Sequence, residues 1–359
     1  MRNCIIADDE KMKTVNMIKS IIAVLLAIVT SMPLMAQKVG GYQNVEAGGD
    51  YVMVLKKDGS LWAWGSNKLG ELGDGAGIDN WTPTKILENV KQVSAGGNTT
   101  FAIRNDGTLW GWGWNKYGQV GDGTTKKKLS PVKIMSGVKS VSANMYNTFA
   151  IKNDGSLWAW GYNSIGQLGD GTKTNQLTPV KIMDGVKAVS GGGYHTHVLK
   201  TDGSLWGWGR NMSGDLGDGT TEQRTNPVKI MDGVREITAA SSHSFAIRND
   251  GSLWGWGYNE NGRIGNGATN DIILPVKIMD GVRKVTSKDS HTFVIKNDGS
   301  LWSWGRNDYG QLGDGTMIDK LNAVKIADAV KDVSAAWCFT IYLTEGGDLM
   351  FAGKFNPYR

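Results

Sequence analysis

The sequence predicts an all-β, seven-bladed β-propeller, and three observations carry that prediction: a repeat of fixed length, four short strands per copy, and paired tryptophans at one place in each copy. The string Asp-Gly-Ser-Leu-Trp-Ala-Trp-Gly begins at Asp58, and near-copies begin at Asp106, Asp154, Asp202, Asp250 and Asp298. Each step is 48 residues (Asp58 to Asp106, for example). One further step lands on Gly346, where Gly-Gly-Asp-Leu-Met-Phe-Ala-Gly is a worn seventh copy. A fixed period of this length marks an array of identical units, each too small to bury its own apolar faces.

The strands follow from alternation and turn chemistry. In the fifth unit, residues 234–238 alternate apolar and polar, and residues 243–248 form a second strand ending at Asn249-Asp250-Gly251, a strong hairpin signal. Residues 252–256 make the third strand, and after a Gly-rich loop residues 275–278 (Pro-Val-Lys-Ile) make the fourth. Four short antiparallel strands per unit are a propeller blade.

The tryptophans fit that geometry. Trp254 and Trp256 are two apart and point to one face, with Leu253 and Gly255 on the other. Blades stack face to face, so large rings fill the gaps between neighbours. Twelve of the 15 Trp hold this register; Trp81, Trp114 and Trp337 do not. Ala47, Ala95, Ala143, Gly191, Ala239, Ser287 and Ala335 share one register of the first strand, the small residues expected where seven strands converge on an axis.

Composition is that of an ordinary globular chain, with 20% charged and 40% hydrophobic residues. The net charge is +5, with the basic residues dispersed singly apart from Lys126-Lys127-Lys128, which reads as a solvated loop rather than a nucleic-acid site. Two cysteines, Cys4 and Cys338, leave no disulfide once the leader is removed.

That leader is residues 1–36. An apolar run at 21–29 follows Lys13 and Lys19, and residues 31–36 lead to a cleavage point after Ala36, the layout of a secretory signal. The acidic stretch Asp8-Asp9-Glu10 is unusual in a leader and points to a start at Met12 or Met17 rather than Met1. The run is short for a membrane span, and the alternative is an N-terminal anchor. The expectation is a propeller over residues 37–359, secreted, periplasmic or at the cell surface, with no stable membrane span after leader removal.

The consensus Asn-Asp-Gly-Ser-Leu-Trp-Gly-Trp-Gly-x-Asn-x-x-Gly-Gln-Leu-Gly-Asp-Gly-Thr resembles the RCC1 (regulator of chromosome condensation) repeat. The most telling stretch is residues 161–171, Gly-Tyr-Asn-Ser-Ile-Gly-Gln-Leu-Gly-Asp-Gly, and the resemblance runs from about Val39 to Gly353. It implies the propeller, and it implies two very different activities: guanine-nucleotide exchange on a small nuclear GTPase at chromatin, or tight inhibition of β-lactamases by a secreted bacterial propeller. The exchange factors use an inserted wedge and a basic tail. Units of uniform length leave no room for the wedge, and no basic tail is present.

Side chains with possible chemistry have blander readings. His195, His243 and His291 share a register held elsewhere by Tyr51, Thr99, Asn147 and Phe339, so each is expected to be buried and bonded to a loop backbone. His195 and His197 could form a metal pair, but His197 stands where other units carry Phe101, Phe149, Phe245 and Phe293, so core filling is expected and no metal. Asp74, Asp122, Asp170, Asp218 and Asp314 lie between glycines and suit Asx turns better than calcium. Asn67, Asn115, Asn163, Asn211, Asn259 and Asn307 read as loop staples. No catalytic pairing and no phosphate-cradling motif is visible, and neither an enzyme nor a cofactor is expected.

Variation between copies remains as a guide to function. In the Gly-x-Asn loop, x is Ser66, Trp114, Tyr162, Arg210, Tyr258 and Arg306, and two residues beyond the Asn stand Leu69, Tyr117, Ile165, Ser213, Asn261 and Tyr309. The drift toward Trp, Tyr and Arg is the composition of protein interfaces. Trp114, Tyr117, Tyr162, Arg210, Tyr258, Arg306 and Tyr309 are therefore the expected binding face; the alternative is that these rings cover gaps between loops and blades. The reading is a secreted, non-enzymatic module whose partner is a secreted or cell-surface protein, with carbohydrate next, nucleotide exchange third and no nucleic acid. Residues 36–39 fall where the fourth strand of the last unit would, and are expected to close the ring.

Overall fold

A computed structural model describes residues 42–48, 51–288, 290–335, 339–346 and 348–353. It contains 27 strands in seven antiparallel sheets, six of four strands and the last of three. The blades span residues 42–87, 90–135, 138–183, 186–231, 234–279, 282–327 and 330–353. The fifth shows how closely alternation tracked the strands: they run Val234–Ala239, His243–Arg248, Leu253–Gly257 and Ile272–Met279. The fourth is longer than its Pro-Val-Lys-Ile core because the end of the Gly-rich loop already pairs, Gly257 opposite Ile272. Among the described residues no helix is long and apolar enough to cross a membrane. The leader, the proposed closing residues 36–39, Trp337 and Cys338 lie outside the described residues.

The first strand of each blade is innermost. It packs against the first strand of the following blade, while the fourth strand is outermost and partly exposed. Second strands are buried along almost their whole length. The small-residue register is a real packing constraint: a Cβ on Gly191 would stand 2.0 Å from Asn144 Nδ2 of the preceding blade.

In five of the six pairs the two tryptophans have different tasks. The second (Trp112, Trp160, Trp208, Trp256, Trp304) is fully buried in the seam with the preceding blade, whereas Trp64 of the first blade is partly exposed. Its indole N–H donates to the carbonyl of Glu71, Gln119, Gln167, Asp215 or Arg263, at 2.9–3.1 Å. In four seams a threonine hydroxyl of the same blade (Thr100, Thr148, Thr196, Thr292) donates to the same carbonyl. The glycine these rings press on comes from the neighbouring blade. Gly121 has φ +86° and a Cβ there would lie 2.6 Å from Trp160 Nε1, so two independent constraints demand glycine. The first Trp is only half-buried. Trp158 donates to Ser156 Oγ at 3.0 Å, and Lys152 Nζ stands 5.4 Å from its ring centre.

The buried histidines also join blades, which corrects the expectation of loop-backbone partners. His195 Nε2 meets Ser244 Oγ at 2.9 Å, His243 Nε2 meets Ser287 Oγ at 2.7 Å, and His291 Nε2 lies 3.5 Å from Thr340 Oγ1, each in the next blade. Tyr51 does the same work in the first blade, its hydroxyl 2.9 Å from Thr100 Oγ1 of the next. A strand side chain reaches straight across the seam, so no loop is needed.

Candidate binding face

The Gly-x-Asn loops and the turns between first and second strands emerge on one side of the disc, tied together in the second to sixth blades. The backbone N–H at the x position donates to the carbonyl at the tip of the adjacent turn: Trp114 to Asn98, Tyr162 to Tyr146, Arg210 to Tyr194, Tyr258 to Ser242 and Arg306 to Ser290, at 2.9–3.0 Å.

Below each loop the conserved-looking asparagine acts as the staple its position suggested. Asn163 Oδ1 accepts from the backbone N–H of Leu168 at 2.9 Å, and its Nδ2 donates to Asp170 Oδ1 at 2.9 Å. Asp170 in turn accepts the backbone N–H and hydroxyl of Thr172. Asp74, Asp122, Asp218 and Asp314 accept from their own asparagines in the same way. These carboxylates are further engaged by cations where one is available: Asp122 by Lys128, Asp218 by Arg224 and Asp314 by Lys320. His195 and His197 face each other edge to face at 5.2 Å, with Ser244 Oγ within reach of both. His197 fills the seam against Trp256 and bonds the Leu216 carbonyl, which is the packing role its Phe register implied.

The seven residues of the expected face share a side of the disc but not a single site. Trp114, Tyr117 and Tyr162 meet in one aromatic cluster, with Trp114–Tyr117 ring centres 5.7 Å apart and Tyr117–Tyr162 4.8 Å apart. Tyr146 completes it, 5.9 Å from each of the three. Burial, then the neighbouring Tyr194, Tyr117 and Tyr162, raises the Tyr146 phenol above its ordinary range. The cluster bridges the second and third blades, and exposed Met145, next to Tyr146, and Tyr194 lie close to it. The other four are engaged locally. Arg210 donates to Ser242 Oγ at 3.2 Å, and Arg306 pairs with Asp308. Tyr258 donates to Glu260 and lies under the Arg263 guanidinium, 4.6 Å from its ring centre. The backbone N–H of Tyr309 donates to Gln311 Oε1.

Tyr146 and Tyr194 were missed by the sequence reading. Both precede the second strand, where other units have Asn98, Ser242 and Ser290. The same test of variation toward aromatics would have found them, had it been applied to the turn between first and second strands.

With this geometry in hand, comparison with known proteins is informative. A model of the RCC1-like domain matches residues 27–288, and models of the RCC1 repeat match residues 282–311 and 298–343. The chain belongs to the RCC1-like domain family. Among solved structures, this RCC1-like chain is similar to yeast RCC1 (Prp20) bound to Kap60, with TM-score 0.67, 21% identity and coverage of 88% of this chain and 81% of that one. Human WBSCR16 gives TM-score 0.68 at 20% identity, covering 90% and 88%. At those identities the likeness is one of fold. A curated relative, the mitochondrial RCC1 domain-containing protein RUG3 of Arabidopsis thaliana, is 42% identical over 50 residues, which is 13% of this chain and only 11% of that protein's length.

Proposed function

We infer that this RCC1-like propeller is an exported, non-enzymatic binding module that takes a protein partner on the face bearing Trp114, Tyr117, Tyr146 and Tyr162. The RCC1-like fold supports a protein-binding role. The yeast relatives are described bound to Kap60, and by their binding to Gsp1p and histones. The observation that carries the reading is the aromatic cluster itself. Four rings from two blades pack against one another, edge to face or tilted, on stapled loops, so their positions are set before any partner arrives, and exposed Met145 and Tyr194 lie close by. Carbohydrate stacking on the same rings is the second reading, and the glycan array below separates the two. Nucleotide exchange is disfavoured by blades of uniform length.

The test is capture of partners from the producer's own secreted fraction, run beside a glycan array. A discrete protein lost on Tyr162→Ala, with a blank array, is the expected result. Array hits that vanish in the same variant would replace the protein reading with the carbohydrate one.

A further inference from the structure

We propose that the opposite mouth of the channel is a second binding site, a ring of cations that takes a compact polyanion bearing several phosphate or sulfate groups. The second residue of each first strand is Gln43, Lys91, Lys139, Lys187, Arg235, Arg283 or Lys331. Dispersed singly along the chain, these lysines and arginines are gathered by the repeat at one register around the axis.

Three observations make this a built ring. First, every first strand has a β-bulge at this residue: Val186 pairs with Lys200 and Ala188 with Leu199, leaving Lys187 out of the ladder, and the other six strands do likewise. A bulge re-aims its side chain away from the two sheet faces, here out of the packed seams. Second, ring members touch. Lys187 Nζ donates to the Arg235 carbonyl at 3.4 Å, Arg283 Nη2 donates to the carbonyls of Val330 and Lys331 at 2.8 and 3.3 Å, and Arg235 donates to Val282. Neighbours that close lie within about one Debye length (~8 Å at physiological salt), so their fields add rather than being screened apart. Third, the charge is uncompensated. Among the described residues none of the six cations has an ion-pair partner, whereas the nearby acids Asp184, Asp232, Asp280 and Asp328 are each held by Lys181, Lys229, Lys277 and Lys325. Lys284 and Asp332 neutralise one another, and Glu236, the residue after Arg235, is half-buried. The whole chain carries +5 and the ring +6, so everything else sums to 5 − 6 = −1.

Symmetry selects the ligand class. A linear strand crossing the mouth would meet only the cations along one diameter, while a compact anion on the axis engages all six. The site lies at the start of each first strand and the aromatic face beyond its end, so the two can be occupied and tested independently.

The experiment is calorimetric titration of the full chain with inositol hexakisphosphate, with inositol hexasulfate as a second arm and a single-stranded oligonucleotide as a third. The expected result is saturable one-to-one binding, weakened at least tenfold in Lys139→Gln/Lys187→Gln/Arg283→Gln. The control removes the same charge from exposed loops leading to the outermost strands, Lys126→Gln/Lys127→Gln/Lys173→Gln, where no ion pair is broken, and should change affinity less than threefold. Melting curves establish that both triple variants are folded, and single substitutions replace any that is not. The phosphate and sulfate arms decide which oxyanion is preferred. No binding at low salt, equal loss in ring and control variants, or tighter binding of the oligonucleotide than of either compact anion would each overturn the proposal.

Discussion

Trp160 donates its indole N–H to the carbonyl of Gln119 across the seam between the second and third blades, at 2.9 Å. The bond couples a buried ring to a backbone group 41 residues earlier, and Gly121 of that same preceding loop lies flat against the ring. Trp158, two residues away on the same strand, is half-buried against the core shared by these blades, and its indole N–H bonds only the nearby Ser156 hydroxyl.

That contrast predicts unequal costs for the same substitution. Trp160→Phe removes a buried donor and leaves a gap, which should cost about 2–4 kcal/mol. Trp158→Phe loses a half-exposed bond and should cost less than about 1 kcal/mol. Thermal or urea unfolding of the two variants measures the difference; equal costs would show that the seam bond contributes nothing beyond burial.

Acid stability is the second prediction. Burial holds His197 down to about 4 and His291 to about 3, and holds His195 and His243 well below the usual imidazole value. Unfolded, all four take a proton near 6.5. Their contribution is therefore fully present above pH 6.5 and is lost as pH falls from there toward 4, each histidine giving a slope of up to about 1.4 kcal/mol per pH unit. Glu71, Asp215 and Glu236, raised by burial, oppose the trend, while Asp58 and its equivalents, lowered by Ser or Thr donors, add to it only in stronger acid. Unfolding free energy should drop steeply between pH 7 and 5. His243→Tyr, which borrows the residue at Tyr51 of the same register, should flatten that drop. A pH-independent melting temperature over this range would contradict the account.

The same repetition explains what could and could not be read from the sequence. Strands, staples and seam tryptophans recur at 48 residues because each copy faces the same neighbour, so fold and framework were legible. Contacts between different copies were not. The partner of His195 is 49 residues away, Tyr146 joins Trp114 from another blade, and Lys139 gains its neighbours only when the ring forms. A one-dimensional reading sees seven equivalent positions without knowing which of them converge.

Ring closure is the third prediction. The third strand of the last blade, Leu349–Gly353, pairs on one side with Phe339–Thr344. Exposed Met350 and Phe351 lie on it, and Met317 and Ile318 of the sixth blade are also exposed. Among the described residues the other edge of that strand has no partner, and an unpaired edge is a liability that a fourth strand would remove. Deleting residues 37–41 should lower the melting temperature by several degrees and increase self-association in light scattering. An unchanged melting curve would mean those residues do not close the ring.

The last prediction separates binding from mortar at the aromatic cluster. Trp114, Tyr117, Tyr146 and Tyr162 are half-buried, held by loops that are themselves stapled through Asn115 and Asn163 to backbone and carboxylate partners. Removing a ring should therefore leave the loops in place. Trp114→Ala and Tyr162→Ala should each weaken a captured partner by about 2 kcal/mol or more, the range of an interface hot spot. Stability should move by no more than about 1 kcal/mol, because the rings lie above the seams rather than in them. Arg306→Ala, whose side chain is committed to Asp308 at a distance from the cluster, is the internal comparison and should cost binding far less. Affinity and unfolding measured on the same three preparations decide the matter: large stability losses with binding intact would make these rings structural mortar, and equal binding losses in all three would spread the interface around the disc instead of seating it on the second and third blades.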